Sequence, residues 1–145
     1  MKAVIAALLA GVLTASPVLG APDNSARPIV AVYEGHYVCP QGLTRLRLNL
    51  ARRQPGVPDV VSFEFGPTTG TPDIPTGEFR LSGTLDPDGG ELVLDPLAWV
   101  DQPPGYEMVG LSGRSTDGGV TFTGEVVSPH PGCTSFSVKR TRYAM

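Results

Sequence analysis

The chain has 145 residues, 41% hydrophobic and 17% charged, with 11 Lys and Arg against 14 Asp and Glu for a net charge of -3. That length and composition fit one folded domain, and the acidic balance excludes a general nucleic-acid binder. The 15 prolines and 18 glycines disfavour long helices and supply many turns.

In chain order, residues 1–20 read as a secretory signal peptide: Lys2, an apolar run from Ala3 to Leu13, then Thr, Ser and Pro before small residues. The run is shorter than the roughly 20 residues that cross a bilayer, so no integral span is expected after cleavage. No Cys follows it to carry a lipid. Residues 21–32 are expected to form a flexible leader and residues 33–145 a single β-barrel domain. Cleavage removes Lys2 and no acid, so 10 basic residues face 14 acidic ones and the net charge becomes -4. A periplasmic or extracellular destination makes the only two cysteines, Cys39 and Cys133, a disulfide pair.

Eight strands follow in the mature chain: Gly35 to Cys39, Thr44 to Ala51, Val60 to Phe65, Glu78 to Leu85, Glu91 to Leu94 or a little beyond, Met108 to Ser115, Val120 to Val127, and Thr134 to Thr141. Alternation puts Leu46, Leu48, Phe63, Phe79, Leu81, Leu92, Leu111, Phe122 and Phe136 on one face, and Arg45, Arg47, Arg80 and Lys139 on the other. LSGTLDPDGGELVL (81–94) and LSGRSTDGGVTFTG (111–124) repeat one grammar: an alternating strand, a turn of Asp and Gly residues suited to positive φ, and a second alternating strand. A meander of short strands is expected to form an all-β, small antiparallel up-and-down barrel of about eight strands. The Cys39–Cys133 bridge then closes it between the terminal strands. An interior of Leu, Phe and Val leaves little space for a large ligand, so function belongs on the rim or the outer wall.

No catalytic constellation emerges. Gly110-Leu111-Ser112-Gly113 is not a G-x-S-x-G elbow. His36 and His130 read as surface histidines, and His130 lies in a Ser-Pro-His-Pro-Gly turn. Glu64, Glu78, Glu91, Asp95 and Asp101 could in principle supply a glycosidase pair, but alternation places most of them outward. Asp86-Pro87-Asp88-Gly89-Gly90 lacks the later ligands of a calcium loop. No cofactor and no metal site is expected.

Two surfaces are candidates for binding. The first runs from Trp99 through Asp101 to Tyr106, where Pro103-Pro104-Gly105 presets a turn between two amphipathic aromatics. The competing reading makes Trp99 and Tyr106 a plug at one barrel end. The second is the outward row Arg45 and Arg47, with Arg52 and Arg53 beyond it, which suits an anionic envelope polymer or an acidic partner. Its competing reading is cross-strand pairing with carboxylates such as Glu64.

The series Tyr37-x-Cys39-x-Gln41-Gly42, Phe63-x-Phe65, Gly77-x-Phe79, Trp99, Pro104-Gly105-Tyr106-x-Met108-Val109-Gly110-Leu111 and Gly132-Cys133-x-x-Phe136 resembles a group of exported bacterial β domains. That resemblance implies export and the disulfide, and no particular activity. A looser resemblance is to the membrane-bound inhibitors of C-type lysozyme, small periplasmic eight-stranded barrels that open on a Tyr-x-Cys-x-x-Gly-like segment. Their inhibitory Ser-Gly-x-x-Tyr motif is not matched, because Ser82-Gly83-Thr84-Leu85 is followed by Asp86. The expectation is an exported, non-catalytic binding or inhibitor module with a protein or envelope-polymer partner. The alternatives are a structural envelope protein and a hydrolase of unrecognised type. Ligand identity and oligomeric state have no signature in the sequence.

Overall fold

The computed structural model describes residues 27–144. The expected signal peptide and most of the expected leader lie outside them. Eight strands run in chain order, β1 (Ile29–Cys39), β2 (Gly42–Ala51), β3 (Asp59–Gly66), β4 (Gly77–Leu85), β5 (Glu91–Asp101), β6 (Gly110–Arg114), β7 (Thr121–Val127) and β8 (Ser135–Tyr143). Each pairs antiparallel with its neighbour, and β8 returns to β1, so the sheet closes as an up-and-down barrel.

Closure follows from alternation. Apart from Asp59 at the start of β3, every inward position on β2 and β3 between Leu46 and Phe65 is apolar, and the barrel interior hides them all. Leu46, Leu48, Leu50, Val61, Phe63, Phe79, Leu81, Leu85, Leu92, Leu111 and Phe122 are all fully or almost fully buried there. Phe63 stacks on Phe79 with ring centroids 4.3 Å apart, at the centre of a run of aromatic contacts that reaches Tyr37, Phe65 and Trp99. Arg45, Arg47 and Lys139 face water as alternation predicts, and Arg80 is partly covered.

Two strands are much longer than alternation predicts, while the other strand ends fall within two residues of the expected ones. β1 begins at Ile29, inside the expected leader, because Ala31 and Tyr33 are buried and pair with both β2 and β8. β5 continues to Asp101 by pairing with β4, with register shifts at Glu78/Phe79 and Arg80/Leu81. Its pairing with β6 stops at Leu94↔Leu111.

The two repeated hairpins, β4–β5 and β6–β7, stand side by side, and their turns touch at one barrel end. The Ser115 amide donates to the Gly90 carbonyl (2.9 Å), and the Tyr33 hydroxyl donates to the Gly119 carbonyl (2.6 Å). Only the second turn uses positive φ, at Gly118 (73°) and Gly119 (92°). In the first turn Gly89 serves another need, since a Cβ there would lie 2.4 Å from Asp86 Oδ2, the carboxylate that accepts the Asp88 amide through its other oxygen. The same end holds Asp59, whose buried carboxylate accepts from Arg53 Nε (2.8 Å) and from the Leu85 amide (2.9 Å).

The opposite end carries the disulfide. Cys39 closes β1 and Cys133 lies two residues before β8, with Cα atoms 3.8 Å apart. The Thr134 amide donates to the Val38 carbonyl (2.9 Å), carrying the β1–β8 seam up to the bridge. Disulfides of this kind persist in oxidising compartments.

Candidate functional site at the disulfide end

An up-and-down meander sends alternate loops to the same end of the barrel. The turn at Pro40 and Gln41, the 102–109 loop and the 128–134 loop therefore gather around the disulfide. Between them lies a cleft of about 450 Å³, lined by Tyr37, Gln41, Tyr106, Glu107, His130 and the disulfide itself. Concave sites of a few hundred Å³ with an apolar wall and a few polar groups are where small ligands and single ligand groups bind.

The apolar floor is built by the barrel. Tyr106 stacks on Phe65 (centroids 5.4 Å apart, planes 18° apart), so one face of its ring is covered and the residue stays half-buried. Pro103 is buried, and an added Cβ on Gly77 would meet Phe65 and Pro103, so the loop seats where β4 offers no side chain. A positive φ at Gly105 (79°) turns the chain back over the mouth, with the Tyr106 amide donating to the Pro103 carbonyl (3.3 Å) and Gln102 Nε2 to the Tyr106 carbonyl (3.0 Å).

The polar groups sit on the rim. Gln41 Nε2 donates to Thr44 Oγ1 (3.1 Å) and, at 3.4 Å, to the Tyr37 hydroxyl. Burial pushes the Tyr37 phenol well above the usual range, and the nearby Tyr106 hydroxyl raises it further, so it stands in the cleft as a neutral group. Glu107 Oε2 and His130 Nε2 meet at 2.5 Å, tying the 102–109 loop to the 128–134 loop across the cleft while both side chains remain exposed.

The expected site residues separate in space. Trp99 points inward, edge-on to Phe79 (5.2 Å) and Phe65 (6.3 Å), and works as part of the plug that competed with the binding reading. Tyr106 belongs to both, packing on Phe65 and lining the cleft. Asp101 is exposed at the tip of β5, opposite Glu78. The arginines stand on β2, around the outer wall. Arg47 lies between Glu34 and Glu64 in the register and makes a 3.7 Å ion pair with Glu64, an exposed contact of small energetic weight. Arg45 lies between His36 and Gly66 and has no ion pair among the described residues. Arg53 is withdrawn from the row by Asp59 and Asp86 at the far end.

Sequence reading missed Gln41, Glu107 and His130 as one group. Glu107 and His130 are 23 positions apart in unrelated Pro- and Gly-rich turns. The signal that could have joined them is topological: in an eight-stranded meander the first, third, fifth and seventh connections share one end. Of the outward carboxylates, Glu64 and Glu78 face each other on the outer wall but accept separately, from Asn49 Nδ2 (2.8 Å) and the Ser62 hydroxyl (2.7 Å). No group of three or more His, Cys, Asp and Glu side chains converges among the described residues. No family model, no curated protein and no solved structure matches this chain.

Proposed function

We propose that this barrel is an exported, non-catalytic binding module, periplasmic or extracellular, that takes a polyhydroxylated group of an envelope polymer into the cleft at its disulfide end. The observation that carries the reading is the arrangement of that cleft. A half-exposed Tyr106 ring offers an apolar face, and around it stand an amide (Gln41), a carboxylate (Glu107), an imidazole (His130) and a neutral phenol (Tyr37) within one recess of about 450 Å³. A sugar ring has the matching chemistry, with an apolar C–H face and a rim of hydroxyls that both donate and accept. The site is also held rigid, by the disulfide, the Pro103 seat and the Glu107–His130 contact, so little ordering entropy opposes binding.

The test is cosedimentation of the protein from Ala21 onward with purified insoluble peptidoglycan. Glu107→Gln alters an exposed rim group and should leave the melting temperature in place, whereas Gln41→Ala also removes the bonds to Thr44 Oγ1 and the Tyr37 hydroxyl and should lower it, so capture by both variants is read well below their melting temperatures. Loss of one good hydrogen bond to a ligand should weaken capture by about tenfold, roughly 1.4 kcal/mol. Absence of cosedimentation, or equal capture by the wild type and both variants, would reject the reading.

A further inference from the structure

β5 carries a second surface that the cleft does not use. Its ladder to β6 ends at Leu94↔Leu111, while its ladder to β4 continues to Glu78↔Asp101. After Asp101 the chain folds inward over the barrel mouth, where Pro103 and Tyr106 seat against Phe65, instead of returning alongside β5. The far edge of residues 95–101 therefore meets no strand, and none of its backbone groups bonds to the 102–109 loop among the described residues. Asp95, Pro96, Leu97, Ala98, Val100 and Asp101 are all exposed, and Leu97 (53%) and Val100 (51%) are among the most exposed large apolar residues described. Trp99 pins this arm to the core through Phe79, so the edge is held in place.

An open edge bearing exposed apolar side chains is a template for another strand. Its chemistry selects the occupant. Pairing with a second copy, antiparallel and centred on Ala98, would set Asp95 of each copy opposite Asp101 of the other, and like charges so placed repel. Pro96 removes one donor, and the register shifts at Glu78/Phe79 and Arg80/Leu81 bend the strand, two further features that disfavour flat edge-to-edge association. The surrounding charge is acidic at both ends of the arm, from Asp95 on one side and from Asp101 with its neighbour Glu78 on the other. Among the described residues of β4 paired with the arm, the one cation is Arg80, opposite Ala98.

We propose that the β5 edge at Leu97–Asp101 accepts an extended segment of a partner protein by strand addition, a segment with apolar residues at its centre and Lys or Arg at its ends. Main-chain hydrogen bonds would supply the affinity, Leu97 and Val100 would meet the apolar residues, and the acidic ends would set the charge preference. This surface is independent of the cleft, and either can fail alone.

The probe is a synthetic peptide of alternating valine and threonine flanked by paired lysines, with a glutamate-flanked peptide of the same core as control. The readout is amide NMR with hydrogen exchange on the protein from Ala21 onward. The lysine-flanked peptide should protect amides within Leu97–Asp101 and bind at least about tenfold more tightly than the glutamate-flanked one. Val100→Lys alters an exposed side chain and should weaken the lysine-flanked peptide by a similar factor with the melting temperature unchanged, whereas Glu107→Gln should leave peptide binding as it was. Absent protection, equal binding of the two peptides, or indifference to Val100→Lys would overturn the proposal. So would dimers forming at rising concentration with the same amides protected in the absence of peptide.

Discussion

Replacing both Cys39 and Cys133 by alanine should cost close to 5 kcal/mol of stability while leaving the barrel closed. The bridge spans 94 positions. In the chain-entropy treatment a closed loop of that length removes about 16 cal/mol/K from the unfolded ensemble, or about 4.7 kcal/mol at room temperature. The folded state depends on the bridge much less, because the β1–β8 register runs from Ala31↔Tyr143 to Tyr37↔Phe136 and Thr134 extends it by one more bond. Cys39 is buried and would leave a small void on truncation, which adds to the loss. Domains of this size have about 5 to 15 kcal/mol in total, so the double variant should remain folded but only just. Urea denaturation followed by circular dichroism reads the loss as a lowered midpoint, and amide spectra of the folded state should change only near the disulfide end. A loss under about 1 kcal/mol, or loss of the β1–β8 cross-strand contacts in the variant under native conditions, would refute the reasoning.

Asp59→Asn keeps the shape but weakens the contacts to Arg53 and Leu85, and should cost about 1.5 to 3 kcal/mol in the same assay, toward the lower figure because Arg53 is partly exposed. The Tyr37 phenol is raised in the folded state, so its contribution to stability is present below the unfolded value near 10 and declines as pH rises beyond it. An ultraviolet titration should show Tyr37 ionising only as the barrel unfolds. Asp117 has the opposite sign: the Ser115 hydroxyl and the Thr121 amide hold its carboxyl down at about 2, so its contribution is present above the ordinary value of 3.8 and is lost as pH falls toward 2. Carboxyl NMR should place that midpoint well below those of ordinary surface aspartates.

Much of the fold was legible because alternation is enforced wherever one strand face is buried. Shifting Leu46, Leu48 and Leu50 by one residue would put Arg45 and Arg47 into the core, so the register of β2 could be read from the text alone. The disulfide followed from counting cysteines in a chain whose first twenty residues read as an export signal. The extra length of β5 was not legible. Asp95-Pro96-Leu97-Ala98 breaks alternation and contains a proline, and only pairing with β4 keeps it extended. The site was half legible for a related reason. Composition singled out Trp99 and Tyr106, but which aromatic faces the core and which lines a cleft depends on where the loop seats, and that is set by Phe65 and Gly77, far away in sequence. The arginine row was legible as a row, yet its division into a paired Arg47 and an Arg45 with no ion pair among the described residues depends on neighbours from β1 and β3.

The central claim is that the disulfide end binds an envelope glycan, and the most direct measurement is amide shift mapping of the protein from Ala21 onward with soluble peptidoglycan glycan fragments. Saturable shifts confined to Gln41, Gly105, Tyr106, Glu107 and His130, and weakened by Glu107→Gln, are the predicted result. Shifts centred on Arg45 and His36 of the outer wall, or no saturable shift at any fragment concentration reached, would contradict it.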